Sequence, residues 1–154
     1  MPTLPLFESL ADFEHIVPAF LFRCLVAVTC GGLIGIEREL RNRPAGFRTN
    51  ILICLGSTIY MAVGLLLPGD NVDPTRIAAQ VVTGVGFIGA GSIMQAGNKV
   101  HGLTTAATIW VVAAIGIVVG AGFPGLALIS TGMVLLTLAA LRSVEKRLLR
   151  NDGE

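Results

Sequence analysis

The sequence predicts an all-α membrane protein with five transmembrane helices, and three observations lead there. Charged residues make up only 14% of the 154, against about 25% in a soluble globular domain, and a chain this short has a large surface for water to wet. Hydrophobic residues make up 53% and mean hydropathy is +0.78. The apolar residues run continuously rather than alternating, which favours helices over a barrel.

Five apolar stretches come close to the roughly 20 residues that a helix needs to cross a bilayer. They lie at 16–35, 50–68, 77–95, 104–121 and 124–142. Before them, Leu6, Phe7, Leu10 and Phe13 share a helical face and Ser9 and Asp12 have capping spacing, so residues 1–15 read as an outer-face amphipathic segment. Span 1 closes on Gly31 and Gly35 and leads into Arg38, Arg41, Arg43 and Arg48. Span 3 opens on Asp73-Pro74, an N-cap residue followed by proline at the first helical position. Residues 143–154 form a basic tail.

Lys and Arg set the orientation. Arg38, Arg41, Arg43, Arg48, Lys99, Arg142, Lys146, Arg147 and Arg150 fall on one side, Arg76 alone on the other, and Arg23 within a span. The basic side is expected in the cytoplasm, which puts the N-terminus outside and the C-terminus inside.

Spans 1–2 and 3–4 read as a repeated hairpin. Val28-Thr-Cys-Gly-Gly-Leu-Ile-Gly35 matches Val82-Thr-Gly-Val-Gly-Phe-Ile-Gly89 at an offset of 54, and Ile53, Gly64 and Pro68 pair with Ile109, Gly120 and Pro124 at 56. Both hairpin loops face the same side, so the repeat is parallel, with its axis along the membrane normal.

The glycines carry two readings. Gly31, Gly35, Gly84, Gly86, Gly89 and Gly91 let helices approach closely. Alternatively, span 3 is partly unwound and turns carbonyls toward a cavity. Its G-x-G follows no strand and is no dinucleotide motif.

Net charge is +1, so no nucleic-acid partner is expected. Cys24, Cys30 and Cys54 are odd in number and lack a C-x-x-C pair, which indicates neither a disulfide framework nor a zinc site. Residues 1–22 contain no Lys or Arg, so the basic start of a cleavable signal peptide is missing. His15 and His101 fall on opposite sides and no catalytic set or P-loop is present, so no enzyme, cofactor or metal site is expected.

All ten acids lie outside the spans. Mg²⁺ wants about six oxygens and sheds water reluctantly, so a dehydrated cage at mid-membrane lacks its carboxylates. An ion or solute path would have to use Arg23, Thr29, Asp73, Arg76, Gln80, Thr83, Thr105 and Thr108. Asp73-Pro74 reads first as a conventional helix start; on the functional reading Arg76, Gln80 and Thr83 face inward and Asp73 gates an outer vestibule. Arg23, whose burial at mid-span would cost about 2.5–3.5 kcal/mol, either snorkels or is functional. Its expected partners are Glu14, Asp70 and Asp73. The cytoplasmic set Glu37, Arg38, Arg41, Arg48 and Thr49 reads as a topology signal with local ion pairs to Glu37 and Glu39, or as a surface for anionic lipid or a partner.

Four segments resemble the MgtC/SapB family of bacterial membrane proteins: Gly32-Leu-Ile-Gly-Ile-Glu-Arg-Glu39, Pro44-Ala-Gly-Phe-Arg-Thr49, Asp73-Pro-Thr-Arg through Gly-Phe-Ile-Gly-Ala-Gly91, and Gly102-Leu-Thr-Thr-Ala-Ala107. The resemblance implies an inner-membrane protein tied to Mg²⁺ homeostasis, low-magnesium growth and, in pathogens, survival in macrophages. It also implies ATP synthase as a membrane partner. Longer members carry a soluble C-terminal domain, so this chain is expected to be a short form. A homodimer through the small-residue faces, acting as a non-enzymatic regulator in the bilayer, is the leading expectation. The alternatives are a channel or transporter for a hydrated ion or small polar solute, and a lipid-binding protein.

Overall fold

A computed structural model describes residues 10–66 and 73–151. Five helices appear: α1 (Leu10–Leu40), α2 (Phe47–Leu66), α3 (Pro74–Gly91), α4 (Leu103–Gly120) and α5 (Pro124–Asn151). Between α3 and α4 lies a two-stranded antiparallel hairpin, β1 (Met94–Ala96) and β2 (Lys99–His101). Three helical stretches are long and apolar enough to cross a bilayer: Ile16–Leu40, Phe47–Leu66 and Leu103–Gly120. Pro124–Ala140 is a shorter apolar helix.

Three sequence expectations change. Span 3, placed at 77–95, ends at Gly91, and Met94–Ala96 is a strand rather than helix. Ser92 closes the helix, its hydroxyl and N–H both donating to the Gly89 carbonyl. Gly97 at φ +60° then makes a two-residue turn with Asn98, a conformation that glycine adopts without strain. α5 continues to Asn151, so residues 143–151 of the tail extend the last helix. At the other end α1 begins at Leu10, so that part of the amphipathic segment is continuous with span 1. Ser9 and Asp70 lie outside the described residues.

The turn between α1 and α2 is held by side chains from both. Asn42 takes a left-handed φ of 52° and ends α1. Glu39 Oε2 accepts a hydrogen bond from the Phe47 N–H at 2.7 Å, capping α2 from the preceding helix. Asn50 Nδ2 donates to the Ala45 and Gly46 carbonyls at 2.8 Å.

The main core joins Ala27, Cys30 and Ile34 of α1, Cys54 of α2, Val112, Ile115 and Val119 of α4, and Ala127 of α5. Glycines bring the backbones together. A Cβ on Gly31 would stand 2.6 Å from the Asn50 carbonyl oxygen, and one on Gly35 2.7 Å from the Phe47 Cα. On the other seam, a Cβ on Gly116 would collide with the Cys54 carbonyl oxygen, and one on Gly120 would lie 2.6 Å from that of Thr58. Thr58 Oγ1 bridges this seam, 2.9 Å from both the Cys54 and the Gly116 carbonyl oxygens.

Arg23 belongs to this architecture. Its Nη1 donates to the Gly120 carbonyl at 2.9 Å, at the C-terminal end of α4. Unsatisfied carbonyls and the negative end of the helix dipole collect there, so a guanidinium fits. The expected ion pairs with Glu14 and Asp73 do not form. Arg23 closes a helix end.

Candidate functional site

The start of α3 is built as the sequence suggests. Asp73 Oδ1 accepts from the Thr75 N–H at 2.9 Å and from its hydroxyl at 2.7 Å, with Pro74 in the first turn. Those two bonds, with the nearby Arg76 charge, hold the Asp73 carboxyl below its usual range. It therefore stays ionised at the exposed mouth of the helix.

Arg76, Gln80 and Thr83, inward on the functional reading, do not share one environment. Asp73, Arg76, Gln80 and Thr83 are all exposed. The helix turns Ile77, Val81, Val85 and Gly89 inward instead, and the 3.6-residue period leaves the quartet on its flank and outer side. Thr83 Oγ1 donates back to the Ala79 carbonyl at 2.9 Å. Arg76 and Gln80, however, line a groove of about 750 Å³ between α2 and α3, opposite Tyr60, Ser57 and Leu52. Its remaining walls are mostly aliphatic. α3 is an uninterrupted α-helix, so no unwound carbonyls open into the groove.

The glycines of α3 also divide. Gly89 packs, its Cβ position lying 3.5 Å from the Ala106 carbonyl oxygen. A Cβ on Gly84, Gly86 or Gly91 would meet nothing within 4 Å. Those three were expected to pack helices, and within this chain they do not. Beside them Phe87 is 85% exposed.

Two of the other candidate threonines bind locally. Thr29 and Thr108 donate to the carbonyls four residues earlier, Leu25 and Thr104. Thr105 and Thr108 are buried, whereas Thr29 is exposed.

A second polar centre sits where α1 ends. Ala27, Cys30, Ile34 and Arg38 follow one buried stripe of the helix, so Arg38 lies in the interior with its side chain only 4% exposed. Glu37 pairs with Arg41 at 2.5 Å and with Arg38 at 3.8 Å. Arg41 Nη1 reaches the Leu138 carbonyl of α5 at 3.4 Å. Arg38 Nε and Nη2 and Asn50 Oδ1 are buried without a hydrogen bond. The Arg38 and Arg41 pairs expected for this segment thus form with Glu37, while Glu39 caps α2. Arg48 and Thr49 are exposed and border a shallow depression of about 480 Å³ with Arg43 and Asn42. The burial of Arg38 was missed, although its spacing from Ala27, Cys30 and Ile34 contains the signal.

Among the described residues, no three His, Cys, Asp or Glu side chains converge as metal ligands do. What the chain offers is an apolar groove with polar groups at one end, a flat glycine face on α3, and a buried charge network at the α1–α2 turn.

Comparison with known proteins assigns the family. The MgtC family model matches residues 24–147. YhiD of Escherichia coli (strain K12), named as a candidate magnesium transporter, is 45% identical over 140 residues, covering 86% of this chain and 65% of that protein. Protein MgtC of Brucella abortus (strain 2308) is 47% identical over 120 residues, covering 77% and 50%. Protein MgtC of Salmonella typhimurium (strain 14028s / SGSC 2262) is 42% identical over 129 residues, covering 84% and 55%. The chain thus spans between half and about two-thirds of the length of these relatives. No solved structure matches it. A match over most of the sequence, together with apolar helices of spanning length, means that this membrane protein belongs to the MgtC family.

Proposed function

We propose that the chain is a Mg²⁺-linked regulator of the bacterial inner membrane that acts without catalysis, through contacts between its helices and those of another copy or another membrane protein. Membership of the MgtC family and relatives named MgtC and YhiD support the magnesium link. The observation that carries the mode of action is the outer face of α3. Thr83, Gly86, Phe87 and Ala90 are exposed there, and Gly86 has open space where a Cβ would stand. Small residues around one large apolar knob suit close helix packing in lipid. The five-span topology with N outside and C inside rests on the Lys and Arg distribution. The paired positions Gly35 and Gly89, each against the following helix, support the hairpin repeat. By family resemblance ATP synthase is a partner to test, alongside a homodimer.

The experiment is photo-crosslinking in native membranes. With p-benzoylphenylalanine at position 87, a protein adduct of discrete mass is expected, at twice the chain mass for a homodimer. The same probe at the exposed Leu136 of α5 should give none. Lipid adducts alone at both positions would overturn the reading.

A second reading, a path for a hydrated ion or small polar solute, is favoured by the presence of Arg76 and Gln80 in the groove. It requires flux of Mg²⁺, K⁺ or protons in proteoliposomes that Gln80→Ala abolishes. Silence with all three removes it.

A further inference from the structure

We propose that the groove between α2 and α3 is a site for one anionic phospholipid, its phosphate held at Arg76 and one acyl chain lying along the helices toward Ile88. The groove opens sideways rather than through the molecule, since Leu52, Tyr60 and Ile88 on its rims are all exposed. Its length fits one leaflet. Arg76 to Ile88 spans twelve helical steps, about 18 Å at 1.5 Å per residue, against about 15 Å for half of a 30 Å hydrocarbon core. Its depth comes from absent side chains, because a Cβ on Gly56 or Gly84 in its walls would meet nothing within 4 Å.

The polar groups gather at one end. Arg76 lies in the first turn of α3 and Gln80 one turn later. Tyr60 faces them from α2. The Arg76 guanidinium makes no hydrogen bond or ion pair with the described residues, and only its backbone N–H is bound, to the Asp73 carbonyl. Asp73 feels its charge, but the Asp73 carboxylate is bound to Thr75. A guanidinium at the membrane boundary with open donors takes a phosphate well.

That charge also decides between occupants. A transmembrane helix from a second copy would bring no acid, since no Asp or Glu lies within the five apolar stretches. A phospholipid brings both the anion and the chain. The site is separate from the face invoked above, because Thr83, Gly86 and Phe87 do not line the groove. Failure at one therefore leaves the other standing.

The test uses the intact chain in nanodiscs of equal phosphatidylglycerol and phosphatidylcholine, with retained lipid read by native mass spectrometry. One phosphatidylglycerol per chain should be retained, with a preference of about tenfold, because the choline cation of the competing lipid offsets its phosphate charge at Arg76. Arg76→Gln should reduce that preference to near unity while lipid is still retained. Gly84→Phe, which fills the groove wall, should release both lipids while the protein remains monodisperse. Equal retention of both lipids by the parent chain overturns the proposal, as does insensitivity to both substitutions. Displacement of the lipid by millimolar inorganic phosphate would reduce the site to a free-anion site and overturn the acyl-chain assignment. If Gly84→Phe removed a crosslinked dimer and left lipid retention unchanged, a second copy would be the occupant instead.

Discussion

Replacing Gly116 by alanine should destabilise the fold by about 3 kcal/mol, the upper end for overpacking a filled interior. The added methyl would overlap the Cys54 carbonyl oxygen and stand 2.7 Å from the Ser57 Cβ. Backbone on the opposing side cannot rotate away as a side chain can. Relief therefore requires α2 and α4 to separate, which stretches the bond from Thr58 Oγ1 to the Gly116 carbonyl. Separation also loosens Cys54, Val112 and Val119 in the main core. In detergent, the midpoint for heat-induced loss of the monodisperse peak should fall by roughly 6–12 °C, at 2–4 °C per kcal/mol for a chain of this size. Gly84→Ala, in open space, should leave the midpoint unchanged or raise it slightly through helix propensity. A Gly116→Ala midpoint within about 2 °C of the parent would mean that the helices are not in backbone contact.

Glu37→Gln should cost as much or more, about 3–5 kcal/mol, because it breaks a buried ion pair from one side. The carboxylate is shared by Arg38 and Arg41. Arg41 can turn toward solvent, since its side chain is 24% exposed. Arg38 cannot, and its Nε and Nη2 already lack acceptors. The loss should therefore depend on the cation that remains. Adding Arg38→Met to Glu37→Gln removes that cation and keeps an apolar chain of similar length. The double variant should be more stable than Glu37→Gln alone. Additive losses in this cycle would show that Arg38 does not depend on Glu37.

The five helices were legible because continuous apolar runs and the Asp73-Pro74 start are local features. The β-hairpin was not, although Gly97-Asn98 is a two-residue turn signal. Ile93 and Met94 extend the apolar run of α3 past its end, and hydropathy alone does not register the break at Ser92. The candidate site was legible in part. Sequence spacing brought Arg76 and Gln80 to one side of α3 but could not say which side meets α2. The glycines show the limit most clearly. Gly35 and Gly84 look alike in sequence, yet Gly35 touches the Phe47 backbone and Gly84 faces open space. That difference is set by where α3 lands against its neighbours, a long-range property. Arg23 was conspicuous as a lone charge in a span, but its partner is a backbone carbonyl, which no residue pattern announces.

The Arg23 contact has a consequence for biogenesis. Its acceptor, Gly120, lies 97 residues further along the chain. When α1 is delivered to the bilayer during synthesis, the carbonyl that will receive the guanidinium has not yet been made. Until α4 arrives, Arg23 must stay hydrated at the membrane edge or be shielded by the insertion machinery. Docking of α4 then supplies the carbonyl that the Arg23 guanidinium needs.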